Sequence, residues 1–235
     1  MKAVAPALLI SVLATASPVV DGGTPLPTAA GRVSTDVMPL KQLREAGLVR
    51  QGWDVSCGSA ALSTILTYHF GDPISEATIA VSILANTDPE RVRARGGFSL
   101  LDLKRFAEAV GYQAEGYAQL TLEDLEHSPV PAILPIRYRD LDHFVVFRGR
   151  AGNRVLIGDP AFGNLTLSLA QFDEAWSSRI GFFVREVGQS PWDPGQGPLA
   201  PNALNTPLPN LDYVHRLLRA GGPVPPAIRH LPVTP

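Results

Sequence analysis

The sequence predicts an α+β fold, with helices in the first half of the folded region and antiparallel strands in the second. Between residues 56 and 128, apolar side chains recur at helical spacing behind Ser and Thr residues that suit helix N-caps. Between residues 130 and 185, short runs of β-branched and aromatic residues are separated by turns that contain Gly and Asn.

Four helices are predicted in the first half, each with a recognisable start. The first begins at Ser56 or Cys57, carries apolar residues at i, i+3 and i+4 spacing, and ends at Gly71-Asp72-Pro73. The other three begin behind capping residues: Ser75, Ser99 with Asp102 three residues later, and Thr121 with Asp124 three residues later.

The second half is predicted to be mostly strands. They are expected at 130–138, 144–147, 155–157, 165–169 and 180–185, with a short helix from Leu169 or Ala170 to Trp176. Pro131 and Pro135 lie in the first of these runs, and a proline cannot donate a ladder hydrogen bond. We therefore expect that run to be an edge strand or an irregular one.

The two ends of the chain differ from the middle. Residues 1–16 have the pattern of a signal peptide: a charged Lys2, an apolar run from Ala3 to Val12 and an Ala14-Thr15-Ala16 cleavage site. A buried N-terminal helix is the alternative. Residues 17–40 are expected to be an extended linker, 41–187 the folded domain, and 188–235 a proline-rich tail with a short amphipathic helix. The protein is expected in the periplasm or secreted.

Composition narrows the possible functions. The 235 residues are 45% hydrophobic, enough for one ordinary core, and the formal net charge of -2 gives no support for nucleic-acid binding. No segment of the mature chain is long and apolar enough to cross a bilayer. His69 and Asp72 are too few ligands for a zinc site, and no cofactor or metal is predicted.

Cys57 is the only cysteine in the sequence. In an exported chain it has no disulfide partner, and its position at a predicted helix start favours a thiolate, because a helix N-terminus stabilises negative charge. Gln51, six residues earlier, has an amide that can point at the oxygen that becomes negative when a carbonyl is attacked. The alternative is that Cys57 is a small buried hydrophobic residue and Gln51 an ordinary surface residue.

A cysteine nucleophile needs a base, and His143 is the best of the five histidines by elimination and by placement. It begins a predicted strand, whereas the others lie too far along the Cys57 helix, at the end of a polar helix, or in the tail. If the following hairpin turn centres on Ala151, Asp159 lies directly opposite His143 and can orient the imidazole. A one-residue slip would put the two on opposite faces, and Asp159 could instead be a turn residue.

These residues resemble a known family, the bacteriocin-processing cysteine peptidases that cut after double-glycine leaders. The resemblance runs from about Leu40 to Val187 and is carried by three motifs: Gln51-x5-Cys57-Gly58-x-Ala60, His143-Phe144-Val145-Val146, and Asp159-Pro160-Ala161-x-Gly163. It implies a papain-like fold with a helical half packed on an antiparallel sheet.

The resemblance also implies a role for each site residue. Cys57 would be the nucleophile, His143 the general base and acid, Asp159 the orienting residue and Gln51 an oxyanion donor, together with the backbone N–H of Cys57. Many members of the family are domains of ATP-driven exporters, but this sequence has no Walker A motif and a predicted signal peptide. It is therefore more similar to the free-standing exported members, including those encoded with functional-amyloid secretion systems.

The sequence thus predicts an exported cysteine endopeptidase that holds a protein or peptide in an extended cleft and cleaves it through Cys-His-Asp acyl-enzyme chemistry. The resemblance also implies that the protein contacts components of a secretion or amyloid-assembly system. Two alternatives stay open: an amidase or endopeptidase acting on cell-wall peptide, and a non-catalytic peptide-binding module on the same fold.

Overall fold

The computed structural model describes residues 26–28, 31–33, 40–138 and 141–189. The chain divides into two units, Met1–Pro39 and Leu40–Pro235. In the first unit, β1 (Leu26–Thr28) and β2 (Gly31–Val33) form an antiparallel pair within the stretch predicted as a linker. The predicted signal peptide, and the predicted proline-rich tail from residue 190 onward, lie outside the described residues.

The second unit has the α+β architecture that the sequence predicts, with most helices ahead of most strands. In chain order its elements are α1 (Leu40–Glu45), α2 (Cys57–Tyr68), α3 (Glu76–Asn86), α4 (Pro89–Arg95), α5 (Leu100–Ala109), β3 (Tyr112–Tyr117), α6 (Leu122–His127), β4 (Ala132–Tyr138), β5 (Leu141–Ala151), β6 (Arg154–Asp159), β7 (Gly163–Ser168), α7 (Leu169–Ala175) and β8 (Gly181–Glu186). Among the described residues, no helix is both long enough and apolar enough to cross a membrane.

The predicted starts behind Ser75, Ser99 and Thr121 are confirmed by capping hydrogen bonds, whereas α2 begins at Cys57 without a side-chain cap. The Ser99 side chain accepts from the Asp102 N–H while Asp102 accepts from the Ser99 N–H, and Thr121 and Asp124 repeat this arrangement at α6. Helices α1 and α4 and strand β3 were not predicted. α4 is short and charged, although Asp88 at its N-cap followed by Pro89 is a typical start signal.

A six-stranded sheet in the order β3-β8-β4-β5-β6-β7 forms the centre of the unit, and all its neighbouring pairs are antiparallel. The run that forms β4 was expected to be an edge strand or an irregular one, and the first alternative is wrong because β4 lies between β8 and β5. The strand tolerates Pro135 because β8 pairs with β4 only at Ala132 and Ile133. Pro135 therefore lies beyond that ladder, and its missing N–H leaves no ladder hydrogen bond unmade there.

Both faces of the sheet are covered, which explains why β5 is apolar on both sides. On one face, Val146 packs with side chains from α2, α3 and α5, including Leu62 and Leu103. On the other face, Val145 and Phe147 pack with α7. Helix α2 contacts β5 and is buried from Cys57 to Leu66, so it lies in the core of the unit.

The β5–β6 hairpin differs from the predicted one. Its turn is Gly152-Asn153, across which Ala151 pairs with Arg154, and not a turn centred on Ala151. The register then shifts between Phe147 and Gly149, where Arg148 is an extra residue that forms a β-bulge. Beyond the bulge Val146 pairs with Gly158, so Asp159 follows opposite Val145 and is not directly opposite His143.

Candidate active site

Cys57 is the first residue of α2 and is 6% exposed. The N-cap residue Ser56 does not cap the helix with its side chain. Its Oγ atom accepts from the Trp53 N–H at 3.2 Å and donates to the Trp53 carbonyl at 2.9 Å, which fixes the loop ahead of the helix. The first-turn N–H groups therefore keep their donor capacity, and the positive end of the helix dipole lies at the thiol.

Gly58 allows the start of α2 to approach β5 closely. A Cβ atom at this position would lie 3.2 Å from both Leu103 Cδ1 and Phe144 Cδ2. Phe144 is the neighbour of His143 in β5, so the absence of a side chain at Gly58 brings the thiol and the imidazole together. This is the structural reason for a glycine directly after Cys57.

His143 and Asp159 form the contact that the sequence analysis predicts, although by a different register. The Nε2 atom of His143 lies 2.8 Å from Oδ1 of Asp159, and the two side chains are 15% and 3% exposed. The same Oδ1 atom accepts from the N–H groups of Ala161 at 2.7 Å and Phe162 at 3.0 Å. The carboxylate is thus held by its own turn while it holds the imidazole.

The surroundings of His143 favour its charged form. Burial lowers its pKa, but the hydrogen bonds with Asp159 and with the Cys57 side chain, and the negative charges of those two groups, raise it to about 9. Because Nε2 is bonded to Asp159, Nδ1 is the ring nitrogen that remains for Cys57. At neutral pH the imidazole is therefore protonated and lies between the carboxylate and the thiol.

Gln51 lies in the loop ahead of α2, but it is not among the residues that line the cleft. Its Nε2 atom donates to the Trp53 carbonyl at 3.0 Å. Its Oε1 atom is buried and, among the described residues, has no hydrogen-bond partner. The structure thus brings together Cys57, His143 and Asp159, whereas the Gln51 side chain bonds to the loop ahead of α2 with one of its two amide hydrogens.

The turn that carries Asp159 is held by Gln51 and by two arginines that the sequence analysis missed. The Gln51 N–H donates to the Pro160 carbonyl at 3.1 Å, the Arg50 guanidinium donates to the Ala161 carbonyl, and the Arg44 guanidinium donates to the Phe162 carbonyl at 2.8 Å. These contacts join residues more than 100 positions apart, and no local sequence pattern predicts them. The loop ahead of α2 and the carboxylate turn therefore form one framework.

A cleft of about 450 Å³ opens over Cys57 and His143. Its walls are residues 95–98 at and after the end of α4, residues 135–137 of β4, Asp142 and Phe144 of β5, and Ala175, Ser177 and Ser178 at the end of α7. Gly97 brings the first wall close to the Cys57 loop, since a Cβ there would lie 3.1 Å from the Val55 carbonyl. Its volume is within the range of ligand-binding clefts.

Comparison with known proteins finds relatives of this chain. Residues 45–186 match the Peptidase C39 family. The probable functional amyloid protease FapD of Pseudomonas aeruginosa is 38% identical over 190 residues, which is 81% of each chain. The protein of the same description from Pseudomonas fluorescens is 35% identical over 165 residues, 66% of this chain and 72% of its own.

One solved structure supports the fold. The peptidase domain of Streptococcus ComA, a bifunctional ABC transporter involved in quorum sensing, superposes with a TM-score of 0.50 over 59% of this chain and 97% of that domain. The sequence identity is 24%, so this likeness concerns the fold alone. The helical half packed on an antiparallel sheet, predicted from the resemblance, is confirmed.

Proposed function

This chain is a cysteine peptidase that belongs to the Peptidase C39 family, and we propose that it is an exported endopeptidase whose catalytic residues are Cys57, His143 and Asp159. The observation that carries this proposal is the position of one imidazole. His143 hydrogen-bonds to a buried carboxylate and to the thiol at a helix N-terminus, at the floor of an open cleft.

The proposed reaction follows from these positions. The Cys57 sulfur attacks the carbonyl carbon of a peptide bond held in the cleft, and the electron pair of the carbonyl moves onto its oxygen. The C–N bond then breaks as His143 gives its proton to the departing amine, which leaves a thioester on Cys57. Water attacks the thioester, His143 takes a proton from that water, and the Cys57 sulfur departs.

The negative oxygen needs donors, and we assign this role to the Cys57 N–H and to Gln51. The first N–H groups of α2 are not capped by a side chain, and they point out of the helix at the nucleophile. One hydrogen of the Gln51 amide bonds to the Trp53 carbonyl. The second can point at the oxygen once substrate is bound, because catalytic hydrogen bonds tighten in the complex.

Asp159 fixes the imidazole in the working orientation and balances its positive charge. Its Oδ1 atom already receives two backbone N–H groups, so the carboxylate cannot rotate away without losing them. Its burial strengthens the interaction with the imidazolium. This role resembles that of the third residue in other nucleophile-base pairs.

The substrate is an exported protein or peptide, and we place the enzyme in a functional-amyloid secretion system. Two relatives of this chain are described as probable functional amyloid proteases, and the match covers 81% of the one from Pseudomonas aeruginosa. The N-terminal pattern of residues 1–16 supports export to the periplasm or beyond. The cleft accommodates a segment of an extended polypeptide rather than a whole folded domain.

Incubation with the secreted proteins of its own organism tests this function. Wild-type protein should shorten one or a few of them, and the Cys57→Ala variant should not. The Ser82→Ala variant, changed at a residue of α3 outside the cleft lining, should cleave like the wild type. Cleavage of purified peptidoglycan without cleavage of any protein would support the cell-wall alternative, and tight peptide binding without cleavage would support the binding module.

A further inference from the structure

Arg148 occupies an unusual position in β5. It is the extra residue of the bulge, and although it is an arginine it is only 4% exposed. Between the turn and the bulge, Arg150 pairs with Val155 and Gly149 with Leu156. Past the bulge the register has moved by one residue, so that Phe147 pairs with Ile157.

This one-residue shift decides whether the side chain of Asp159 lies on the same face of the sheet as that of His143. With the register of the turn continued, Asp159 would lie opposite Val146, whose side chain packs on the α2 side. With the bulge, it lies opposite Val145, which packs on the other side. His143 is two residues from Val145 and therefore has the same facing. The bulge is thus a condition for the 2.8 Å contact between His143 and Asp159.

The Arg148 guanidinium holds the bulge from outside the strand. Its Nη1 atom donates to the Gly47 carbonyl at 2.8 Å and to the Ala46 carbonyl at 3.4 Å, just beyond the C-terminal end of α1. It also donates to Oδ1 of Asn164 in β7 at 3.2 Å. The Nδ2 atom of Asn164 donates in turn to the Ala46 carbonyl at 2.9 Å, which closes the network.

Two glycines leave the room that this side chain needs. A Cβ at Gly47 would lie 3.1 Å from Nη2 of Arg148, and Gly47 has a φ of +60°. A Cβ at Gly158 would lie 3.3 Å from Cδ of Arg148. Gly158 directly precedes Asp159, so the arginine stem crosses the strand next to the catalytic carboxylate.

A buried cation with uncharged acceptors is costly. Burial lowers the pKa of Arg148 to about 10, and its acceptors are two carbonyls and an amide. An apolar residue of the same length would avoid that cost, but it could not bind the three acceptors. The arrangement indicates a function beyond core filling.

We propose that Arg148 is a positioning residue of the catalytic site: its guanidinium holds the bulge that places Asp159 on the face of His143. This inference rests on the proposed function, because it concerns the same three catalytic residues. Arg148 acts through Asp159 and does not touch the substrate. The Ala46–Gly47 segment that it binds continues into Gln51, so the loop ahead of α2 is held by the same group.

The experiment compares the imidazole titration of His143 by NMR in wild-type, Arg148→Met and Arg148→Lys proteins. In the wild type the imidazole should titrate near pH 9. In Arg148→Met the midpoint should fall toward 6.5, since the bond to Asp159 is lost. In Arg148→Lys it should lie between the two, because one ammonium cannot bridge all three acceptors. Arg95, Arg137 and Asp142, the other charged residues that line the cleft with His143, are the same in every variant.

Arg154→Met is the matched control. Arg154 lies in β6 and donates to Thr166 of β7, so its loss weakens the same sheet without altering the bulge. In this variant the His143 imidazole should titrate with the same midpoint pH as in the wild type, even if the thermal unfolding midpoint falls. A second readout is alkylation of Cys57 by iodoacetamide at neutral pH, which should slow about tenfold in Arg148→Met and remain unchanged in Arg154→Met.

A folded Arg148→Met protein whose His143 still titrates near 9 would overturn the inference. If that variant does not fold, Arg148→Lys decides, and a wild-type titration there overturns it equally. Both readouts are independent of any substrate. Failure to find peptidase activity would therefore contradict the proposed function while leaving the positioning role of Arg148 to be judged separately.

Discussion

The Nε2 atom of His143 lies 2.8 Å from Oδ1 of Asp159 across the β5–β6 hairpin, although the two residues are diagonal neighbours rather than a direct cross-strand pair. The diagonal contact works because both side chains face the same side of the sheet and because the turn after β6 fixes the carboxylate. Replacement of Asp159 alone should therefore show how much the orientation of the imidazole contributes to the rate of catalysis.

Replacement of Asp159 by Ala should slow catalysis without abolishing it. The imidazole remains next to Cys57, but its orientation and the support for its positive charge are lost. We expect a fall in kcat of about 10²-fold, smaller than the loss in Cys57→Ala or His143→Ala, with little change in KM. Steady-state kinetics on the identified substrate measure this, and a loss as complete as that of the nucleophile variant would contradict the supporting role.

The protein should lose stability as the pH rises from about 6.5 to 9. The folded pKa of His143 is raised to about 9 from its ordinary value of 6.5, so its contribution is fully present below 6.5 and disappears through 9. The effect on the free energy of unfolding is on the order of 2 kcal/mol, given partial solvent access. Urea unfolding at a series of pH values measures it.

The matched control for that experiment is His143→Gln, which carries no titrating imidazole. Its unfolding free energy should vary less over the same pH range, while Cys57→Ala should show a smaller dependence than the wild type because one of the two groups that raise the His143 pKa is gone. Equal pH dependence in the wild type and in His143→Gln would show that another group causes it.

Replacement of Gln51 by Ala should lower kcat more than it raises KM. An oxyanion donor acts on charge that develops in the transition state, and loss of one such donor costs about 10²–10³ in rate. Gln113→Ala, on the far strand β3, is the control and should be fully active. A Gln51 variant with full turnover and weaker binding would show that this residue only contacts substrate.

Replacement of Gly163 by Ala should destabilise the Asp159 turn. Gly163 has a φ of +91°, and an added Cβ would lie 2.6 Å from the Arg44 carbonyl. Strain and collision together should cost about 2 kcal/mol or more. Gly116→Ala is the matched control, because a Cβ there meets nothing within 4 Å. Thermal unfolding measures both, and equal midpoints would contradict the collision.

Much of the fold could be predicted, because the local sequence signals for helix starts and for turns agree with the elements that form. Capping pairs such as Ser99 with Asp102 place the helix starts, and the glycine turns place the strands. Cys57 at a helix start and His143 at the start of a strand follow from those elements. The register of β5 and β6 was not predicted, because the sequence analysis centred the turn on Ala151 and did not use Gly149, a glycine inside a strand with a φ of +113°, as the sign of a bulge.

The structure brings His143 and Asp159 into contact, but by a register other than the predicted one. The predicted turn at Ala151 and the observed bulge at Arg148 both put the two side chains on one face, by different registers. The framework around the site was also beyond the sequence, since Arg44 and Arg50 bind a turn more than 100 residues away. Only the folded chain brings such residues together.

The alkylation rate of Cys57 by iodoacetamide at pH 6.5, in the wild type and in His143→Ala, tests the central claim most directly. The account predicts rapid modification of the wild type, because the His143 imidazolium stabilises a thiolate at the N-terminus of α2. It predicts a rate at least about tenfold lower in His143→Ala and no such loss in His127→Ala, a histidine outside the cleft lining. Equal rates in the wild type and His143→Ala would contradict the pairing of Cys57 with His143.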